Sequence, residues 1–140
     1  MNVNVIRLLL VEDDRIQQVW IARQLATMPD IRFELVQATS ENEALLLFNE
    51  GGFGLIILDF HLNQGNGVNC LRRMRQHDSL VPIIAVSGTA TSKIATMLIE
   101  AGADDYLAKQ SLDSRILGQS VRNVLTRAQA FQSRYAALRN

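Results

Sequence analysis

Five short apolar runs, each followed by a stretch with helical spacing, constrain this chain more than any other feature. Ile6–Val11, Leu55–Leu58 and Ile83–Val86 are nearly continuous aliphatic segments bounded by polar residues. A strand with one wet face alternates apolar and polar positions, whereas a strand covered on both faces stays apolar throughout. Phe33–Ala38 includes Glu34 and Gln37 and reads as a less buried edge strand; the short run Asp104–Leu107 reads as a fifth. Between these runs the spacing changes. After Asp14, residues Ile21, Ala22, Leu25 and Met28 form a helical stripe. Ser40-Glu41-Asn42-Glu43 is a capping box, Leu45 and Phe48 continue that helix, and Gly51–Gly52 end it. Val68, Leu71 and Met74 give a third helix its apolar face, and Ile94 to Ala101 make a fourth, closed by Gly102. Strand and helix alternate, so the class is α/β with a parallel sheet. Right-handed crossovers leave few topologies. The leading one is a flavodoxin-like, doubly wound, five-stranded sheet of order 2-1-3-4-5 with an extended C-terminal helix.

At 140 residues, 48% of them apolar, the chain suits one domain with a real core. A formal net charge of zero argues against a chain that tracks a nucleic-acid backbone. The single cysteine, Cys70, permits neither an internal disulfide nor a cysteine zinc cage, so a reducing cytoplasm is expected. Met1 to Asn4 lead directly into the first apolar run with no charged leader segment. No run approaches the roughly 18 residues of a membrane span, and no membrane partner is expected.

The chemistry collects at the strand ends. Glu12, Asp13 and Asp14 follow the first strand, Asp59 ends the third, Ser87 ends the fourth and Lys109 follows the fifth. In an open parallel sheet, ligands bind beyond the carboxyl ends of the strands. Adjacent carboxylates repel one another there, and a hard divalent cation such as Mg²⁺ relieves the repulsion. Asp59 could then act as a nucleophile toward phosphorus, with Lys109 and Ser87 holding the phosphoryl oxygens. An acidic pair after a strand also suits a plain helix N-terminus, and a lone lysine or serine is usually just solvated. An aspartate closing the run Leu55–Leu58 is harder to explain in that way.

In this set of residues the chain resembles the receiver domains of bacterial two-component response regulators. The resemblance rests on LLLVEDD (8–14), LIILDFHL (55–62), PIIAVSG (82–88) and GADDYLAK (102–109), and covers about residues 5–126. It implies a phosphoacceptor, Asp59, and a Mg²⁺ (or Mn²⁺) site formed by Asp13, Asp14, Asp59 and the backbone carbonyl of His61. It implies a switch hydroxyl at Ser87, a coupled aromatic at Tyr106, and Lys109 as the lysine that pairs with Asp59. Glu12 matches the residue ahead of the acidic pair, and His61 and Thr89 match positions that tune phosphate lifetime. The implied partners are a sensor histidine kinase or a phosphotransfer protein. The implied reaction is the domain's own phosphorylation and dephosphorylation, not turnover of an external substrate.

Two departures stand out. Gln110 replaces the proline that usually follows the lysine through a cis bond, which costs a non-proline residue about 2.5–4 kcal/mol. Asn63 replaces a proline after the acceptor, so a looser loop is expected through Asn63-Gln64-Gly65-Asn66-Gly67. That glycine-rich stretch, running on to Cys70, nearly matches a dinucleotide fingerprint but follows the wrong strand, and it reads as a loop. His77 reads as a solvated helix end and Trp20 as a packing residue.

The last segment is longer than a receiver needs. Leu117, Val121, Val124, Ala128, Phe131, Tyr135 and Leu138 keep heptad spacing. The first three are expected in the core. Ala128, Phe131, Tyr135 and Leu138, on a 127–140 extension, are expected to pair with a second copy or lead to an output module. The fourth helix also exceeds one apolar face, with Ile94, Ala95, Met97, Leu98 and Ile99, which fits a partner surface near the fifth strand, and the resemblance implies a switching face, open to homodimer formation, around the fourth and fifth helices. Three rivals remain: an aspartyl-nucleophile phosphatase, which would need an acid at His61; a flavodoxin, which would need a phosphate loop at Glu12-Asp13-Asp14; and a receiver that no longer takes up phosphate.

Overall fold

The structure, a computed structural model, describes residues 4–62, 67–88 and 91–139. The elements alternate as β1 (Asn4–Val11), α1 (Arg15–Ala26), β2 (Ile31–Ala38), α2 (Glu41–Glu50), β3 (Leu55–Asp59), α3 (Gly67–His77), β4 (Ile83–Ser87), α4 (Ser92–Glu100), β5 (Asp105–Ala108) and α5 (Ser114–Arg139). The five strands form one parallel sheet in the order β2-β1-β3-β4-β5, the doubly wound order expected from the alternation.

The continuous apolar runs are explained by burial from both sides. Every residue of β3 and of β4 is buried. In β1, Leu9 and Val11 pack with Ile56, Leu58, Ile83 and Ala85 against Phe48, Leu71, Met74 and Leu98, the faces of α2, α3 and α4. Leu8 and Leu10 point the other way, with Leu55, Ile57, Ile84 and Val86, onto Ile21, Leu25, Leu117, Val121 and Val124 of α1 and α5. Each fully buried side chain of this size contributes about 1.5–3 kcal/mol relative to exposure. The period-two alternation of a strand thus divides one run between two cores. Strand β2, at the edge, keeps the alternation in its own burial, with Arg32 and Glu34 exposed.

Local signals set the helix ends. Ser40 Oγ accepts from the Glu43 amide at 3.1 Å, while the Glu43 carboxylate reaches back to the Thr39 amide at 2.7 Å. Helix α4 closes in a Schellman turn: the Gly102 amide bonds the Ile99 carbonyl and the Ala103 amide bonds the Leu98 carbonyl, with Gly102 at φ +116°. Strand β5 starts one residue later than the apolar run suggests. The Asp104 carboxylate is committed to the Ile83 amide and to Arg75, both at 2.8 Å, and serves as a brace below the strand. Helix α5 is 26 residues long, about 39 Å at 1.5 Å per residue. His77 is exposed at the end of α3, and Trp20 packs against the α1/α5 core. Gly67–Cys70 form the first turn of α3, so the loop expected through Cys70 stops short of them.

Candidate functional site

The carboxyl ends of β1, β3, β4 and β5 meet at one rim. Asp59 is the last residue of β3, and Phe60 continues the pairing by donating its amide to the Val86 carbonyl at 2.8 Å. This holds the Asp59 backbone against β4, and the residue is only 3% exposed. Ser87, fully buried, ends β4 and pairs in register with Ala108 of β5, so the hydroxyl and Lys109 leave neighbouring strand ends.

Lys109 Nζ lies 2.8 Å from Glu12 Oε1 and 3.1 Å from Asp59 Oδ2. The other Asp59 oxygen accepts the His61 amide at 3.1 Å. Burial alone would lower the lysine's pKa, but its bonds and charge contacts with Glu12 and Asp59 outweigh this and hold it above its ordinary value. A single ammonium therefore bridges two buried carboxylates. Gln110 does not prevent this reach: no cis peptide occurs among the described residues, and Lys109 opens a single 3-10 turn, Lys109–Ser111, directly off β5.

Of the expected acidic pair, Asp13 joins this cluster and Asp14 does not. The carboxylates that converge are Glu12, Asp13 and Asp59, whose oxygens lie within 4.8 Å of one another. Asp14 is exposed and is occupied as the N-cap of α1, its Oδ1 accepting the Ile16 amide at 2.8 Å. The physical reason is geometric: the first residue past the strand still faces into the rim, while the residue entering the helix must supply its cap. Glu12 is 1% exposed. Burial first, and then its hydrogen bond and charge contact with Asp59, push its pKa up to about 7 against the pull of Lys109. The buried Gln18 amide donates to the Glu12 carbonyl at 2.5 Å and ties α1 to the end of β1.

His61 is exposed and its ring meets Phe60 edge-on at 4.7 Å between centroids. Tyr106 is half-buried against the α2/α3/α4 core. Thr89 and residues 63–66 lie outside the described residues. Met97 and Ile99 of α4 are exposed, while Leu98 is buried.

Sequence reasoning passed over two residues. Gln18 reads as an ordinary polar helix position, and no sequence signal marks it as buried. Gly67 reads as one loop glycine among several, yet a Cβ there would lie 2.6 Å from the Asp59 carbonyl oxygen and from Phe60 Cα. The first turn of α3 thus presses on the backbone of Asp59, and its distance of eight residues from Asp59 is the only sequence signal.

Fold and site together define a doubly wound α/β domain with a carboxylate–lysine centre at the carboxyl rim of its sheet. The chain belongs to the response regulator receiver domain family, whose profile matches residues 8–122. It is thus a receiver domain of the two-component signalling type. It is 34% identical over 132 residues to the regulatory protein VanRB of Enterococcus faecalis, covering 93% of this chain and 57% of that one. It is 29% identical to the transcriptional regulatory protein CpxR of Escherichia coli K12, covering 87% and 50%. The chain spans about half the length of the curated relatives it matches. Among solved structures, a LuxR-family two-component response regulator from Aurantimonas is 27% identical at a TM-score of 0.80, covering 88% of this chain and 86% of that one. A CheY-like receiver protein from Methanospirillum hungatei, 22% identical with a TM-score of 0.80 and covering 92% and 98%, shares the fold. No helix among the described residues is long and apolar enough to cross a membrane.

Proposed function

We propose that Asp59 accepts a phosphoryl group from a sensor histidine kinase, a phosphotransfer protein or a small phosphodonor, and that the modified domain switches its association with partners. The observation that carries this reading is the buried Asp59 carboxylate held by Lys109 at 3.1 Å inside a cluster of further carboxylates. Structural ion pairs at a strand end have no need of a third and fourth charged group.

The donor set is all oxygen and all anionic, which fits Mg²⁺ or Mn²⁺. Glu12, Asp13 and Asp59 would hold the ion, with the His61 backbone carbonyl as a further oxygen; when bound, it neutralises charge on the carboxylates and on the incoming phosphoryl group. Asp59 attacks phosphorus, and the bond from phosphorus to the donor breaks. Lys109, now shared between Glu12 and Asp59, follows the developing negative charge onto a phosphoryl oxygen. Ser87, at the end of the neighbouring strand, moves in to donate to another. Tyr106 turns inward as Ser87 moves, and the α4–β5–α5 face, with Met97 and Ile99 exposed, changes its self-association or its partners. His61 and Thr89 set the lifetime of the acyl phosphate; an unchanged dephosphorylation rate after exchanging both would refute that assignment. The receiver unit is residues 5–126, acting on itself and not on an external substrate, and the extension carries its message to other modules or proteins.

Intact mass spectrometry after incubation with Mg²⁺ and acetyl phosphate or phosphoramidate tests the proposal. The expected result is a gain of one phosphoryl group, lost in Asp59→Asn and in the presence of EDTA. A folded protein that gains nothing would instead be a receiver acting through constitutive contacts.

A further inference from the structure

Helix α5 runs its full 26 residues without a carboxylate and carries five arginines: Arg115, Arg122, Arg127, Arg134 and Arg139. Its base is a core element, with Leu117, Val121 and Val124 at most 2% exposed. Further along, the apolar register continues into solvent: Phe131 is 53%, Tyr135 49% and Leu138 86% exposed. With Ala128, these residues fall within roughly 80° of one another around the helix axis, the width of a coiled-coil seam and too narrow for a helix lying in a lipid surface.

The residues beside that seam decide what can cover it. Arg127 and Arg134 precede Ala128 and Tyr135 and occupy one flank; Gln132 lies on the other. Arg122, lower on the helix, is paired with Asp30 at 2.6 Å. Arg127 donates to the Asp104 and Asn123 carbonyls at 3.2 and 3.5 Å, and among the described residues no carboxylate forms a salt bridge with it. A second copy fits this surface badly. In an antiparallel pair Arg127 faces Arg134 of the other helix, and in a parallel pair Arg127 meets Gln132, which offers it no opposite charge. Flank charges choose the partner in such seams, and α5 has no acid to relieve either arrangement.

We propose that the exposed half of α5 docks an amphipathic helix of another polypeptide, one with an aliphatic seam flanked by glutamate or aspartate. The test uses the full chain and two labelled three-heptad peptides, both with leucine at the seam, one with glutamate and one with lysine on the flanks, followed by fluorescence anisotropy. The glutamate peptide is expected to bind, more weakly as salt rises, and the lysine peptide to bind at least about tenfold more weakly. The double substitution Arg127→Glu, Arg134→Glu should reverse that preference, and Leu138→Asp should abolish binding of both. All three positions are exposed, and circular dichroism checks that the fold is kept. Equal binding of the two peptides, or a preference that survives the charge reversal, would overturn the proposal. So would sedimentation showing that the chain alone dimerises through Leu138 more tightly than it binds the glutamate peptide, or capture by phosphatidylglycerol-containing vesicles without peptide binding.

Discussion

Glu12 links the site to pH in a way that can be measured. Its carboxyl is pushed up to about 7, chiefly by burial. A cation in the cluster requires the carboxylate form, so binding below pH 7 must expel a proton. The apparent dissociation constant then scales as one plus ten to the power of the pKa minus the pH. That factor is about 11 at pH 6 and about 1.1 at pH 8, a weakening of Mg²⁺ binding by about tenfold on acidification. Isothermal titration calorimetry in two buffers of different ionisation enthalpy reads both quantities, affinity and protons released. Close to one proton should leave per ion bound at pH 6 and almost none at pH 8. Glu12→Gln should abolish the proton release. Stability gives an independent check of the sign. A carboxyl raised from 4.5 to about 7 on folding contributes stability below pH 4.5 that is lost as pH rises through 7. Without metal, the wild type should therefore lose up to about 3 kcal/mol across that window relative to Glu12→Gln. Equal Mg²⁺ affinity at pH 6 and pH 8 with no proton released would refute the assignment of Glu12 as a buried, protonatable member of the cluster.

Three further outcomes follow from packing and hydrogen bonding. Gly67→Ala places a methyl 2.6 Å from backbone atoms of Asp59 and Phe60; chemical denaturation should show a loss of about 1–3 kcal/mol, and phosphoryl uptake should fall with it. Arg75→Met removes bonds to the Gly102 and Val81 carbonyls and to Asp104, at 2.8, 2.7 and 2.8 Å; thermal denaturation should report about 2–3 kcal/mol of lost stability with no change in metal affinity. Burial, and then the nearby Glu41 charge, push the Cys70 thiol up to about 12, so the native protein should not react with iodoacetamide at pH 8 and the urea-unfolded chain should react fully.

The sheet was legible because burial on two faces leaves a direct trace in composition: the all-aliphatic stretches of β3 and β4 could not belong to a half-exposed strand. Edge strand β2 was legible by the opposite mark, its polar Glu34 and Gln37, both exposed. The positions of Asp59, Ser87 and Lys109 followed from strand ends alone. Three consecutive acids after β1 were harder, because strand periodicity stops at the strand and says nothing about which of them turns inward. The cap rule would have assigned Asp14 to α1, and Glu12 to the rim by elimination. Gly67 was illegible for another reason. A glycine required for close approach looks the same in a sequence as one that merely permits a turn, and only the distance to the Asp59 carbonyl separates them.

Helix α5 is rooted in the same core that holds Ile84 and Val86 of β4 and Leu107 of β5, the strands whose ends carry Ser87 and Lys109. From Leu125 to Arg139 it extends about 21 Å along its axis. A stiff rod clamped at one end is a mechanical amplifier. A tilt of about 10° at the clamp, achieved by shifts of about an ångström among Leu117, Val121 and Val124, moves the far end by nearly 4 Å, on the order of a side-chain layer. The length of this helix therefore sets a gain: a small change in packing at its base, of the kind the proposed phosphorylation of Asp59 would produce, would reach Leu138 as a displacement large enough to make or break a contact.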